Sequence, residues 1–80
     1  MMVAIHMQAL PTKRRELLLT LRRLMNMFHK EQGFVRTQLW MNAEDENDVM
    51  LCVEWNTQDD ADRYLRHSEY YRILLGAQQL

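Results

Sequence analysis

Imidazole, indole and phenol side chains are the groups in this sequence that could accept a proton or line an aromatic slot. His6 and His67 could each act as a general base. Tyr64 and Tyr71 are seven residues apart on one face of a predicted helix, and Trp55 ends the strand before it. Each of these residues could instead have a purely structural role. His6 could form a hydrogen bond within the sheet, and His67 could contact carbonyl groups at the end of a helix. The tryptophan and tyrosine rings could simply pack in the core.

Metal and phosphate chemistry have little support in the sequence. Cys52 is the single cysteine, and the three histidines, His6, His29 and His67, form no pair at the spacing of metal ligands on one helix. The two glycines cannot form a glycine-rich phosphate loop, and the seven methionines are typical of an adaptable core rather than a copper site. Cys52 lies in mid-strand, where we expect an inert thiol. We therefore expect no metal and no cofactor.

Hydrophobic periodicity predicts the first two elements that must position these residues. Apolar residues recur at every second position over Val3–Ala9, which predicts a strand with one buried face. Pro11 ends this strand, Thr12 is a good N-cap, and the helix that follows ends near Gln32. Gly33 fits the left-handed position that commonly closes a helix. The apolar stripe of the helix consists of Leu17, Leu21, Leu24 and Phe28.

Two more strands and a second helix follow. Residues 34–42 alternate between one face with Val35, Thr37, Leu39 and Met41 and another with Phe34, Arg36, Gln38 and Trp40. The turn segment AEDEND joins them to the apolar strand VMLCVEW, residues 49–55, as an antiparallel hairpin. Thr57 and Asp60 resemble a capping box, so a second helix begins at about Gln58. Its inner stripe is Ala61, Tyr64 and Leu65.

The order strand, helix, strand, strand, helix predicts an α+β, ferredoxin-like βαββα(β) fold, in which helices cover one face of an antiparallel sheet. We expect residues 1–80 to form one such domain. No fourth strand is predicted after Gly76, so the first strand should lie at a sheet edge. The face away from the helices is predicted to carry Ala4, His6, Arg36, Gln38, Trp40, Met50, Cys52 and Glu54.

The composition of that face predicts a partner. A chain of 80 residues buries a small core, and a single cysteine excludes an internal disulfide. Trp40 and Met50 on an otherwise mixed face are better explained by a second sheet than by water. We therefore expect a homodimer formed by sheet-to-sheet packing.

The charge pattern is typical of solvated surfaces. The net charge is −1, although cations crowd the first helix and carboxylates crowd the loop before the third strand. No aromatic residues accompany the basic cluster, and no apolar run approaches the roughly 20 residues of a membrane span. We expect a cytoplasmic protein without a nucleic-acid or membrane partner.

The segment VMLCVEWNTQDDADRYLRHSEYYRIL, residues 49–74, resembles the antibiotic biosynthesis monooxygenase family of small dimeric α+β barrels. In that family a strand ends in Glu-Trp, a capped turn follows, and the helix carries an aromatic residue or histidine before leucine, then paired aromatics. EQGF, residues 31–34, resembles the family's Glu, Pro or Gln, Gly run before the second strand. The resemblance extends over nearly the whole chain.

The resemblance implies an oxygenase of a small quinol-like or polyphenolic aromatic that works without metal or flavin. An electron-rich phenolate can itself pass an electron to dioxygen, so the protein needs a dry pocket, a base and a hydrogen-bond donor. The implied site comprises His67 and His6 as catalytic bases, and Trp55, Asn56, Tyr64 and Tyr71 as substrate-binding residues.

Other members of the family lead to different expectations. Haem-degrading relatives carry a histidine late in the second helix, where this chain has an apolar residue near Leu74 or Leu75, so haem degradation is disfavoured. Many members have no assigned activity. The alternative is therefore a non-catalytic dimeric ligand-binding or assembly module, whose pocket is filled by its own methionine and leucine side chains.

Overall fold

The structure, a computed structural model, describes residues 1–66, 72–73 and 76, with the side chains of Leu65 and Arg66 excepted. Its elements are β1 (Met2–Gln8), a 3-10 turn (Pro11–Lys13), α1 (Arg14–Phe28), β2 (Phe34–Met41), β3 (Asp48–Trp55) and α2 (Gln58–Arg66). This order confirms the predicted α+β fold. Neither described helix has the length and apolar character needed to cross a bilayer.

The three strands form one antiparallel sheet in the order β1-β3-β2. The central strand β3 pairs with β2 as the predicted hairpin and with β1 on its other side. Among the described residues, no strand pairs with the outer edge of β1. The predicted edge position of β1 is thus confirmed for that part of the chain.

The hydrophobic core lies between the helices and one face of the sheet. Its fully buried large side chains are Leu17, Leu21, Leu24 and Phe28 from α1, and Val49, Leu51, Val53 and Trp55 from β3. The α1 residues are the stripe that the 3.6-residue period predicts, and the β3 residues are every second position of that strand.

The opposite face of the sheet, which we call the open face, carries the predicted residues. Cross-strand pairing places His6 and Trp40 on either side of Met50, and Ala4 and Gln38 on either side of Cys52. Arg36 and Glu54 are also opposite each other, with Arg36 Nε donating to Glu54 Oε1 at 2.8 Å. The side chain of Trp40 is among the large apolar groups that this face exposes.

Two residues at the start of β2 lie on the opposite faces of the sheet from those predicted, because a β-bulge interrupts the strand there. The register shifts between Phe34 and Arg36, so Val35 has no partner and Phe34 lies opposite Trp55. A bulge inserts one extra residue and thereby reverses the alternation before it. Phe34 therefore faces the core and Val35 is exposed, the reverse of the strict alternation that the sequence predicts.

The first helix begins within one residue of the predicted Lys13, but its predicted N-cap, Thr12, and its predicted end near Gln32 are wrong. Thr12 lies in the 3-10 turn, and the N-cap of α1 is Lys13, without a side-chain cap. The helix ends at Phe28, after which the Lys30 and Glu31 N–H groups donate to the carbonyls three residues earlier. This tighter bonding commonly replaces the α-helical ladder at a helix end.

The start of α2 matches its prediction. Thr57 Oγ1 accepts a hydrogen bond from the Asp60 N–H at 3.1 Å, and the Thr57 hydroxyl donates to Asp60 Oδ2 at 3.0 Å. The first bond satisfies an N–H group that has no partner within the helix. Asp59 and Asp60 also place negative charge at the positive end of the helix dipole.

Candidate functional site

The structure separates the residues that the sequence analysis assigned to one site. Trp55 and Tyr64 contact each other between the sheet and α2, and Asn56 directly follows Trp55. His6 lies on the open face, on the far side of the sheet. The two remaining predicted site residues, His67 and Tyr71, lie outside the described residues.

Four rings, which we call the aromatic cluster, meet where α1, β2, β3 and α2 converge: Phe28, Phe34, Trp55 and Tyr64. The Trp55 and Tyr64 rings stack with centroids 5.0 Å apart and planes 14° apart. Phe28 and Phe34 approach the Trp55 ring edge-on, at 5.6 Å and 5.8 Å. These are the offset and edge-to-face geometries that aromatic pairs prefer. The cluster is a rigid aromatic wall at one end of the core.

The indole N–H of Trp55 is the unusual polar group of this wall. The residue is 1% exposed, and its Nε1 has no hydrogen-bond partner in the part of the chain that the structure describes. A buried donor without an acceptor costs about 1–3 kcal/mol. An oxygen atom of a bound molecule is one group that could remove this cost.

Gly33 holds the start of α2 close to the start of β2. Its carbonyl accepts the Asn56 N–H at 2.7 Å, and its φ is +88°, in the left-handed region that favours glycine. A Cβ atom at this position would collide with the carboxyl group of Asp60. The missing side chain therefore lets the N-terminus of α2 approach β2, and this in turn sets where Tyr64 meets Trp55.

His29 is a titratable residue beside the cluster that the sequence analysis did not select. Its ring lies 4.9 Å from the Phe34 ring in an edge-on arrangement, and its side chain is exposed. The sequence could have indicated this position, because His29 directly follows Phe28, the last residue of the apolar stripe of the first helix. The predicted helix continued beyond His29, and this concealed its position at the turn into β2.

A second group of polar residues lies on the open face, near the β2–β3 turn. His6 Nε2 and Asp48 Oδ1 are hydrogen-bonded, and Asn42 Nδ2 donates to Asp48 Oδ2 at 3.1 Å. Gln8 Nε2 donates to Asp45 Oδ2 at 3.0 Å. The hydrogen bonds from Asn42 and His6 hold the pKa of the Asp48 carboxyl below its usual value, so that carboxyl is ionised at neutral pH.

His6, Asn42 and Asp48 border a cavity of about 260 Å³, which we call the imidazole pocket. It is lined by His6, Trp40, Met41, Asn42, Asp48, Val49 and Met50. The pocket thus combines the aromatic ring of Trp40 and the thioether of Met50 with a histidine–carboxylate pair. Within residues 1–66, 72–73 and 76, three or more histidine, cysteine or acidic side chains nowhere gather closely enough to hold a metal ion.

Comparison with protein families gives one match, which spans nearly the whole chain. The family model described as "Antibiotic biosynthesis monooxygenase" matches residues 1–74. No curated protein sequence matches the chain significantly.

Solved structures with the same fold come from distant relatives. A conserved protein from Methanosarcina mazei Go1 is 19% identical, with a TM-score of 0.87 over 98% of this chain and 77% of that one. A possible oxidoreductase from Bacteroides thetaiotaomicron is 14% identical, with a TM-score of 0.86 over 99% and 84% of the two chains. A variant of SnoaB, a cofactor-independent oxygenase from Streptomyces nogalater, is 19% identical, with a TM-score of 0.83 over 99% and 79%. At these identities the likeness establishes the fold alone.

Proposed function

Since the chain belongs to the antibiotic biosynthesis monooxygenase family, we propose that it is a cofactor-independent monooxygenase of a small quinol-like or polyphenolic aromatic. The observation that carries the proposal is the indole N–H of Trp55, which is buried in an aromatic wall and lacks an acceptor among the described residues. A phenolate oxygen would accept this hydrogen bond, and the surrounding rings would keep water away from it.

The reaction needs little from the protein beyond binding, deprotonation and exclusion of water. A base takes the phenolic proton, and the phenolate passes one electron to dioxygen, which becomes superoxide. The two radicals combine at a ring carbon that bears hydrogen, and loss of water from the hydroperoxide leaves a carbonyl group. One oxygen atom enters the substrate and the other leaves as water, so no external reductant is consumed.

His67 is the proposed base, with Asn56, Tyr64 and Tyr71 as further substrate-binding residues. This assignment rests on the family resemblance of residues 49–74, and Trp55 and Tyr64 support it by contacting each other at the wall. His6, the other proposed base, lies on the open face across the sheet from that wall. Individual variants of His6 and His67 therefore test which of the two proposed bases the reaction uses.

The test is anaerobic incubation with a panel of reduced quinols, followed by air. We expect oxygen uptake and quinone absorbance to rise faster than in buffer, and His67→Ala to slow the rate about 100-fold, since a positioned base typically contributes at least that much. His6→Ala alone is expected to have a much smaller effect. Rates equal to the uncatalysed reaction for every quinol would contradict the proposed activity, and an equal loss in both variants would contradict the assignment of the base.

The second candidate is a non-catalytic ligand-binding or assembly module on the same fold. The packing of the core favours it, because Leu21, Leu24, Phe28, Leu51 and Val53 have no exposed surface. A core this closely packed leaves no room for a substrate among those five side chains. Binding of a quinol without its oxidation would favour this candidate over the oxygenase.

We also propose that the chain is a homodimer that pairs through the open face. Trp40 is 55% exposed there, and β1 has no described strand on its outer edge. A standard interface buries about 800 Å² on each partner, and a second sheet packed on this face would cover Trp40 and Met50.

Sedimentation at micromolar concentration tests the dimer. We expect the mass of two chains for the wild type and of one chain for Trp40→Lys, because a buried lysine without a partner is costly. Leu19→Lys is the matched control, since Leu19 is also an exposed apolar residue but lies on the outer side of α1. A single chain in the wild type, or the same mass in all three proteins, would contradict pairing through this face.

A further inference from the structure

We infer that the imidazole pocket is a second binding site, which takes a flat, single-ring aromatic ligand bearing one hydrogen-bond donor, such as a simple phenol. The pocket lies on the open face, across the sheet from the aromatic cluster. His6, one of the two proposed bases of the oxygenase, lines this pocket, but the inference concerns binding alone and needs neither oxygen chemistry nor His67, so it is tested without measuring oxidation.

The hydrogen bonds around His6 determine which ring nitrogen can receive a ligand. Asp48 is ionised and accepts hydrogen bonds only, so in the neutral form of His6 the ring proton is on Nε2, which donates to Asp48 Oδ1. Nδ1 then retains its lone pair, and no described residue donates to it. The side chain of His6 is 65% exposed, so this acceptor is open to a ligand. A ligand with an O–H donor matches it.

Asn42 and Asp48 act as positioning residues for this acceptor. Asn42 Nδ2 donates to Asp48 Oδ2, which leaves Oδ1 directed to His6. The cross-strand register brings the pair together, since Gln8 on β1 lies opposite Asp48 on β3 and His6 is two residues from Gln8. The His6 imidazole is therefore positioned by residues of two paired strands and not by a loop.

The other walls favour a flat ring over an aliphatic alcohol. Trp40 supplies an aromatic surface, and Met50, its cross-strand neighbour, supplies a thioether group, which contacts aromatic ring edges favourably. A volume of about 260 Å³ is below the 300–1,000 Å³ that is usual for drug-sized ligands, so it fits a ring with one or two substituents. An aromatic ring, a thioether and one hydrogen-bond acceptor together match a phenol.

The pocket shares its face with the proposed dimer contact, and this links the two properties. In one chain the pocket is open to solvent on one side, and a second sheet packed on the open face would close it. A ligand that occupies the closed pocket stabilises the dimer by mass action. If side chains of the second copy instead filled the pocket, the same ligand would compete with dimerisation.

The experiment compares 4-methylphenol with 4-methylanisole, which has nearly the same shape but no O–H donor. Binding is followed by NMR on the indole signals of Trp40 and Trp55. We expect 4-methylphenol to shift the Trp40 signal with a dissociation constant on the order of 1 mM, as suits so small a ligand. The anisole should bind about fivefold to tenfold more weakly, which is the usual worth of one neutral hydrogen bond.

Three variants identify the groups responsible. His6→Leu should reduce phenol binding to the level of the anisole, and Asp48→Asn should give an intermediate loss, because an amide still accepts from Nε2 but more weakly. Gln38→Ala, on the open face but outside the pocket lining, should leave binding unchanged. His6 is well exposed, so its replacement leaves the core intact.

Three results would overturn the inference. One is equal binding of the phenol and the anisole, and another is a phenol-dependent shift at Trp55 instead of Trp40. The third is dissociation of a dimer by the phenol in sedimentation, which would show that a second copy occupies the pocket. Quinol oxidation by the wild type has no bearing on any of these outcomes, so the failure of one proposal is distinguishable from the failure of the other.

Discussion

Gly33→Ala is expected to lower the free energy of unfolding by about 1.5–4 kcal/mol. An alanine held at φ +88° costs about 1–2 kcal/mol, since its Cβ approaches the neighbouring carbonyl oxygen. The same Cβ would collide with the Asp60 carboxyl group, which has to move and so disturbs the Thr57 cap. The loss of a helix N-cap adds about 0.5–2 kcal/mol. In so small a domain the sum is a large share of the total stability.

Urea denaturation followed by circular dichroism measures this effect, with Gly76→Ala as the matched control. Nothing lies within 4 Å of a Cβ atom built on Gly76, so that substitution should change the free energy of unfolding by less than about 1 kcal/mol. Gly33→Asn should fall between the two, because asparagine tolerates the left-handed backbone but still adds a Cβ. A stability of Gly33→Ala equal to that of Gly76→Ala would contradict the account.

A double-mutant cycle separates the collision from the backbone strain. Asp60→Ala shortens the side chain that meets Gly33, so Gly33→Ala should cost less in that background than in the wild type. The remaining cost is that of the backbone conformation. Because Gly33 also accepts the Asn56 N–H, the strained variant is expected to shift the position of Tyr64 against Trp55 as well.

The parts of the fold that depend on hydrophobic periodicity and on hydrogen bonds between near neighbours in the sequence were predictable. The alternation in β3, the leucine stripe of α1 and the Thr57–Asp60 cap each depend on residues a few positions apart in the sequence. The end of α1 was not predictable in this way, since His29, Lys30, Glu31 and Gln32 give no local stop signal. The chain turns after Phe28 because Phe28 and Phe34 must both reach Trp55, which is a tertiary requirement.

Strand register explains what the sequence could not indicate about the two candidate sites. The bulge that turns Phe34 into the core leaves no trace in the alternation of residues 34–42. The His6–Asp48 pair joins residues 42 positions apart, so it follows from the pairing of β1 with β3 and not from spacing. Residue type alone was enough to select Trp55 and Tyr64. The absence of an acceptor for the Trp55 N–H among the described residues depends on packing, which the sequence does not show.

Trp55→Phe is expected to slow quinol oxidation about 100-fold while changing the free energy of unfolding by less than about 1.5 kcal/mol. The smaller ring leaves a void beside Phe28 and Tyr64, and this costs stability. The substitution also removes a buried donor without a described acceptor, and this offsets much of that cost. The rate falls because a donor aimed at a developing anionic oxygen typically contributes 100-fold or more.

Stopped-flow oxygenation of a quinol, together with urea denaturation, separates the two effects. Trp55→Ala should lose about 3–5 kcal/mol of stability, as expected for a fully buried tryptophan, because it removes the whole ring together with its N–H group. Phe34→Leu is the packing control, because it loosens the same cluster without removing a hydrogen-bond donor, and it should slow the reaction less than tenfold. Equal rate losses in Trp55→Phe and Phe34→Leu would assign the effect to packing and refute the donor role. A loss of 3 kcal/mol or more in Trp55→Phe would mean that the indole N–H already has a partner within the chain, so a substrate oxygen would gain nothing by approaching it.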